Sequence, residues 1–465
     1  MNFSPTETIT AISTPEGVGA LAIIRISGPE SRNILKKIFI PNNPHLNVES
    51  IDPNHAVVGK IVNLKSKDFI DQAVITFFKA PHSYTGEDLI EVSIHGSEYI
   101  KKIVLRTITE SGARPAEPGE FTKRAFLNGK IDLIQAEAIA NLISSTTEKA
   151  YTLAKRHLQG YLSNDIQEII LHLISLKAKL ELQIDFSEDF IEPFPKKALI
   201  TEAKKVKKKI IELRNSFSKG RMINNGFLVT IIGKPNVGKS SLLNLLIKKD
   251  RAIVTHFPGT TRDTVEEVLN LKGIPVKIID TAGIHESDEP IEEEGIKRSK
   301  EAISESDFLI GMFDLNSPFT KEDKKILAYL KEKTRFIILL NKSDIISPDR
   351  INRYMKDNNL KDSIVFSSKT GKGFDLLLKH LEKELLNQSS RIEDTAIITE
   401  ERHFNHLTEA LSFIEQALNN LKIDSSPELP SEDITFALEE IKQITGVNIQ
   451  TDVLNEIFSK FCIGK

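Results

Sequence analysis

Short apolar runs with a two-residue alternation mark the first 120 residues. ALAIIRISG (20–28), HAVVGKIVNL (55–64), DQAVITFF (71–78) and DLIEVSIHG (88–96), bounded by glycine and polar residues, predict strands. Between Ser97 and Ser111 the apolar residues fall at helical spacing instead. Residues 1–120 therefore predict a small α/β domain. From about Phe121 the period lengthens. Ile166, Ile169, Leu173, Leu176, Leu180 and Ile184 step by three and four. So do Ala203, Val206, Ile210, Leu213 and Phe217, and later Phe404, Leu407, Leu411, Ile414, Leu418 and Leu421, with a further amphipathic segment over 431–445. Each series predicts a helix with one apolar face.

A third rhythm interrupts the helices. FLVTII (227–232), Val276–Ile279, FIILL (336–340) and Ile364–Phe366 read as buried strands. The economical arrangement is a discontinuous helical domain, 121–215 and 381–465, with a nucleotide-binding domain over 216–380 inserted between its halves. Two separate helical bundles are the alternative. Insertion is preferred, because such apolar helices need partners and exposed loops accept inserted domains.

Composition narrows the class. A chain of 465 residues exceeds one ordinary core. The apolar fraction of 40% and charged fraction of 27% are those of a soluble globular protein. A net charge of −3 excludes a broadly basic surface, so any nucleic-acid contact is local or shared with a partner. The run KKVKKK (204–209) reads as the solvated face of a helix, since the apolar stripe passes through it. Cys462 stands alone, which excludes an internal disulfide and a cysteine-based metal site and suits a reducing cytoplasm. There is no basic residue before Arg25, no uninterrupted apolar run near the start and no stretch of ~18 apolar residues. Neither a signal peptide nor a membrane span is expected.

The chemistry sits beside the buried strands. Gly233-x4-Gly238-Lys239-Ser240 follows FLVTII directly. Its glycines let backbone N–H groups face phosphates, Lys239 reaches the β and γ oxygens, Ser240 offers a hydroxyl to Mg²⁺, and a helix from Ser241 adds its dipole. Asn236, Val237 and Gly238 complete the loop. Asn341, Lys342 and Asp344 follow FIILL, where a carboxylate can accept both the N1–H and the 2-amino protons of guanine. Adenine offers no such pair, and a site built for one rejects the wrong base by roughly 10⁴. Ser367, Ser368 and Lys369 supply the remaining base loop. Asp280 ends a strand and would hold Mg²⁺ through water, Thr281, Ala282 and Gly283 follow it, and Thr261 in GTTRD (259–263) is the natural switch threonine on Mg²⁺. Ras-like enzymes place a water-orienting glutamine after this glycine, but here the residue is Ile284. No arginine finger is evident nearby. The acidic stretch Glu286–Glu294 offers water-binding carboxylates, and composition does not single one out.

GVGALAIIRISG (17–28), YTGEDLIEVSIHG (84–96), PGEFTKRAFLNGKIDLIQAEAIANLI (118–143), AIVTHFPGTTRD (252–263) and the terminal FCIGK (461–465), together with the nucleotide motifs, resemble the tRNA uridine-5-carboxymethylaminomethyl modification GTPase family, MnmE or TrmE. The resemblance spans essentially the whole chain. It implies an N-terminal α/β tetrahydrofolate-binding and dimerisation domain, a discontinuous helical domain and an inserted Ras-like P-loop G domain. It further implies a homodimer that joins a flavin-dependent partner protein in a heterotetramer. That assembly adds an aminomethyl or carboxymethylaminomethyl group to C5 of the wobble uridine of certain tRNAs, with carbon from 5,10-methylene- or formyl-tetrahydrofolate.

The family's folate contacts fall on Arg25, Glu91, Lys130 and Lys465. A K⁺ ion takes the place of the arginine finger, held by Asn236 and the loop of Thr255, Phe257 and Thr260. The water-orienting carboxylate matches Glu292, and Cys462 matches a cysteine near the folate site, which makes it a candidate for a role in the modification chemistry. His285 stands where the family often has arginine. The competing reading is a GTPase switch in ribosome assembly without substrate chemistry, which would need neither the folate-type residues nor FCIGK.

Overall fold

The computed structural model describes residues 7–185, 194–249, 267–280, 306–332, 335–388, 396–423 and 426–464. Contacts divide the chain into two compact units, Met1–Ala140 with His157–Ile170 and Leu438–Lys465, and Asn141–Arg156 with Leu171–Ala437.

The first unit is built on a seven-stranded sheet. Its strands are β1 (Ile9–Ile12), β2 (Leu21–Ser27), β3 (Phe39–Pro41), β4 (Ala56–Val62), β5 (Phe69–Phe78), β6 (Leu89–His95) and β7 (Arg114–Pro115), in the order β3-β4-β5-β6-β2-β1-β7. All neighbours are antiparallel except β1 and β7. Alternation along each strand sets its two faces. Ala22, Ile24 and Ile26 of β2 and Ile90, Val92 and Ile94 of β6 are buried under the helix Glu98–Glu110, whose Val104 and Ile108 are fully buried. Arg25 and Glu91 therefore project from the opposite face, and the register places them side by side. The C-terminal helix Thr451–Ser459 closes this unit: Leu454, Phe458 and Phe461 pack with Leu133 and Ala136. Gly119 sits at φ 66°, and a Cβ there would lie 2.6 Å from the Phe458 carbonyl, so only glycine allows this closure.

Beside the sheet lies a charge network. Arg124, fully buried, donates through Nη1 to Glu87 Oε2 at 3.0 Å and to the Glu7 carbonyl at 2.9 Å, and through Nη2 to Glu120 Oε1 at 3.0 Å. Arg114 grips the same Glu120 with two N–H groups, at 2.7 and 3.1 Å. Burial works to raise the Glu120 carboxyl, but Arg114, the Glu117 N–H and Arg124 outweigh it and hold it below its ordinary 4.5. Its stabilisation is thus full above 4.5 and is lost as pH falls through the lower folded value. Arg124→Met leaves Glu87 and Glu120 without their shared partner. The expected loss is about 3–5 kcal/mol, read as a lower urea midpoint with unchanged slope.

The second unit carries a six-stranded sheet of β8 (Phe227–Ile232), β9 (Glu267–Leu271), β10 (Ile274–Asp280), β11 (Phe308–Asp314), β12 (Phe336–Asn341) and β13 (Ser363–Val365). The order is β13-β12-β11-β8-β10-β9, parallel except for the β9–β10 hairpin. Such a sheet, buried on both faces, collects its loops at the carboxyl ends of the strands. The helices Lys196–Asn215 and Glu401–Lys422 pack together, burying Ala203, Val206, Ile210 and Leu213 on one and Leu407, Leu411, Ile414, Leu418 and Leu421 on the other. The apolar series read through Phe217 breaks at Ser216. Ser216 Oγ donates to Leu213 O and accepts from Ile398 N, and a second helix, Phe217–Asn225, begins. The break brings Gly220 so close to the Ile398 carbonyl that a Cβ would lie 2.0 Å away, and Phe217 stacks on Phe404 at 4.9 Å. Among the described residues, no helix is long and apolar enough to cross a membrane.

Candidate functional site

Two constellations assemble, one in each unit. In the second unit, the loop after β8 reaches the helix Lys239–Lys249 through Asn236 at φ 61° and Gly238 at φ 106°. At these positive angles the loop curls so that its N–H groups point inward. Added atoms at Gly233 would lie 2.6 Å from the Met312 carbonyl, and at Gly238 2.3 Å from Asn341 Nδ2. The motif glycines are thus required by close backbone and side-chain approach. Lys239 is 5% exposed, and its Nζ donates to the Gly233 and Lys234 carbonyls at 2.8 and 3.0 Å. These bonds stretch the ammonium across the loop that is expected to cradle phosphates. Asn236, Ser240 and Ser241 are exposed on the loop and the first helical turn.

The base loops are tied to this cradle. Asn341 is buried. Its Nδ2 donates to the Val237 carbonyl at 2.6 Å and to Ser368 Oγ at 3.2 Å, and its Oδ1 accepts from Ser368 N at 2.9 Å. One amide therefore joins the phosphate loop to the 367–369 loop. Lys342, at φ 66°, donates to Asp314 Oδ2 at 2.7 Å. Burial pushes the Asp314 carboxyl up, but the Lys342 ammonium and the Asn316 N–H more than offset this and hold it low. Asp344 is exposed, and the Ser367 hydroxyl donates to its Oδ1 at 2.7 Å. That bond, with backbone N–H help, keeps the Asp344 carboxyl ionised below its ordinary range. An ionised, outward-facing carboxylate with one oxygen anchored suits a bidentate donor such as the guanine edge. Lys369 is exposed beside it.

Thr255, Phe257, Thr260, Thr261, Thr281, Ala282, Gly283, Ile284, His285 and Glu292 lie outside the described residues, as do Lys465 and the side chain of Asp280. The described part of the nucleotide constellation thus comprises the phosphate loop and both base loops. Sequence reading missed the ties that organise it: the Asn341–Val237 bond, the Lys342–Asp314 pair and the Lys234–Asp323 pair at 2.6 Å.

The other constellation lies, half-buried, on the sheet face of the first unit opposite the helix Glu98–Glu110. Arg25 Nη2 and Nε each lie 2.9 Å from Glu91 Oε1. Arg25 Nη1 also donates to the Gly464 carbonyl at 3.4 Å, and the Ser13 hydroxyl donates to the same carbonyl at 3.0 Å. The C-terminal segment is thereby fixed beside the Arg25–Glu91 pair. Gly464, at φ 91°, lies so close to the Ile12 carbonyl that a Cβ would sit 2.2 Å from it. Tyr84 lies under the guanidinium, 5.2 Å from ring centroid to Arg25 Cζ, and shares a 2.8 Å hydrogen bond with Thr122 Oγ1. Burial raises the Tyr84 hydroxyl above its ordinary value. Tyr84 opens the YTGEDLIEVSIHG segment, but a lone tyrosine before a turn carries no signal of this role. Lys130 binds a neighbouring loop, its Nζ donating to the Pro81 carbonyl at 2.9 Å. Cys462 is exposed, and its carbonyl accepts from Gly119 N at 3.4 Å. A surface with a guanidinium, a carboxylate and a phenol ring in contact fits a ligand that carries a flat heterocycle and an anionic tail.

Comparison with known proteins gives the family. Residues 8–130 match the family model described as GTP-binding protein TrmE N-terminus, and residues 133–462 match the MnmE helical domain. The second match encloses the nucleotide motifs, so the helical domain is discontinuous around an inserted G domain. The chain is 40% identical over 459 residues to the tRNA modification GTPase MnmE of Acetivibrio thermocellus, with 99% of each chain covered. It is 39% identical over 459 residues to that of Natranaerobius thermophilus, again with 99% of each covered. Among solved structures, Aquifex aeolicus Era bound to GDP.AlF4− is 29% identical over 41% of this chain and 66% of its own, with a TM-score of 0.29.

Proposed function

Because the chain belongs to the MnmE family of tRNA modification GTPases, and is thus a GTP hydrolase acting in tRNA modification, we propose that its hydrolysis serves C5 substitution of a wobble uridine. In this reading a one-carbon tetrahydrofolate supplies carbon, and a flavin-dependent protein completes a heterotetramer with the homodimer. We place its work in the cytoplasm and its domains at 1–120, 121–215, 216–380 and 381–465, the second and fourth being halves of one helical domain.

The observation that carries the folate part is the meeting of Arg25, Glu91 and the C-terminal segment at Gly464. A switch without substrate chemistry has no use for it. The Arg25 guanidinium would bind a carboxylate of the glutamate tail, Glu91 would accept from the pterin edge, and Lys130 and Lys465 would add charge to the tail. Arg25→Ala, or removal of Lys465, should weaken tetrahydrofolate binding and wobble modification while sparing GTP turnover. Calorimetry is the direct check: unchanged folate affinity in both variants removes this surface from the reaction.

In the nucleotide domain, Lys239 would bind the β and γ oxygens, while Ser240 and Thr261 would hold Mg²⁺ with Asp280 behind a water. Asn236, exposed at the loop apex, would join Thr255, Phe257 and Thr260 in holding K⁺, which would supply the positive charge that an arginine finger brings elsewhere. GTP hydrolysis should then be fast in K⁺ and slow in Na⁺. Asn236→Ala should abolish that difference and keep much of the nucleotide affinity. Equal wild-type rates in the two salts would sink the K⁺ assignment.

A further inference from the structure

The helix Lys196–Asn215 has a second face that the GTPase chemistry does not use. Its sequence KKALITEAKKVKKKIIELRN holds eight basic residues and two carboxylates, in a chain whose net charge is −3. A protein that acts on a polyanion with so little overall charge either concentrates its cations locally or shares the contact with a partner, and this helix is such a local concentration. Burial of Leu199, Ala203, Val206, Ile210 and Leu213 against the rest of the unit turns Lys197, Lys204, Lys205 and Lys208 outward together. By the helical rise, Lys197 to Lys208 spans about 16 Å, the reach of several backbone phosphates.

The other lysines nearby are engaged. Lys207 pairs with Glu415 at 2.9 Å and Lys179 with Glu202 at 2.5 Å, which spends the nearby carboxylates on structural contacts. Lys208 meets Glu212 only at 3.8 Å, one turn along an exposed surface. Lys197, Lys204 and Lys205 enter no ion pair among the described residues. At one end of the ridge a shallow hollow of about 630 Å³ is lined by His172, Lys179, Lys197, Thr201, Lys205 and Glu202, the last engaged by Lys179. Phe194, 39% exposed, stands just before the helix and offers an apolar ring to an unstacked base.

We propose that this lysine ridge binds the phosphate backbone of the tRNA substrate. The inference rests on the tRNA-modification reading and adds the surface that reading lacks. The ridge works as an electrostatic rail: it contributes affinity and orientation but no base readout.

The test uses the full-length chain with Lys197, Lys204, Lys205 and Lys208 all changed to Gln, titrated against fluorescent tRNA over a range of KCl concentrations. A charge-matched control changes Lys321, Lys325, Lys331 and Lys361 to Gln. Each phosphate-binding lysine removed should flatten the slope of log affinity against log salt by about 1, so the ridge variant should lose about 4 of slope and roughly tenfold or more in affinity at low salt. Basal GTP hydrolysis should not change, and the control should bind as wild type does. A ridge variant with wild-type affinity and slope overturns the proposal, as does equal loss in the control. So does a ridge variant that loses only binding to anionic phospholipid vesicles. Wild-type protein that does not bind tRNA at any salt overturns the ridge. The broader reading is judged apart, by whether cells lacking the protein lose the wobble modification.

Discussion

Asp344→Asn should turn a guanine site into a xanthine site. The carboxylate is ionised, exposed and anchored through Oδ1 by the Ser367 hydroxyl, leaving the other oxygen to face a base. In the variant the amide oxygen can keep the Ser367 bond, so the side chain is held in the same place. Its NH₂ then donates where the carboxylate accepted. Xanthine presents a carbonyl where guanine carries its 2-amino group, and receives that bond. A site built for one donor pattern rejects the other by roughly 10⁴, and the preference should reverse on that scale. Competition of GTP and XTP for the purified variant reads the reversal. Retained GTP preference would remove Asp344 from base recognition.

Glu292→Ala should leave GTP affinity intact and remove most of the hydrolysis. Ile284 has no polar side-chain atom with which to align a water molecule, and in the proposed reading Glu292 of the acidic segment does so, directly or through a second water. Losing a water-orienting group costs ~10²–10⁴ in rate, while binding rests on the phosphate loop and the base loops joined by Asn341. The loss should appear in kcat and persist in saturating K⁺. tRNA modification should fall with it if turnover drives the motion that the chemistry requires. Glu293→Ala and Glu294→Ala serve as internal controls. Equal damage from either, or normal turnover by Glu292→Ala, would mean that the catalytic register lies elsewhere.

The parts legible from sequence are those in which spacing alone fixes geometry. Gly233 and Gly238 were readable because close approach and positive φ demand glycine at set intervals, and the strand–loop–helix context was visible in FLVTII and the run after Lys239. Long amphipathic helices announced themselves by their period. Four strands of the first sheet showed by alternation, but Ile9–Ile12 and Arg114–Pro115 are too short to establish a period. The break at Ser216 was hidden because the apolar series continues through it, while the cause is a contact with Ile398, far along the chain. Arg124 and Glu120 look like ordinary helix-surface charges four residues apart. Only the fold reveals that Glu7, Glu87 and Arg114 surround them. Likewise Asn341 was readable as a base-loop residue, whereas its hold on Val237 depends on where two loops meet in space.

The Ser13–Gly464 hydrogen bond joins residues 451 positions apart. A ribosome adding about 5–20 residues per second makes Ser13 long before Gly464. Through most of synthesis the Ser13 hydroxyl must wait for the Gly464 carbonyl, while the whole nucleotide domain emerges. Completion of the Arg25 surface is therefore a late maturation event. A chain interrupted after the nucleotide domain would lack the Gly464 contact beside Arg25. In that sense the contact at Gly464 ties one face of the first unit's sheet to segments made before and after the whole nucleotide domain.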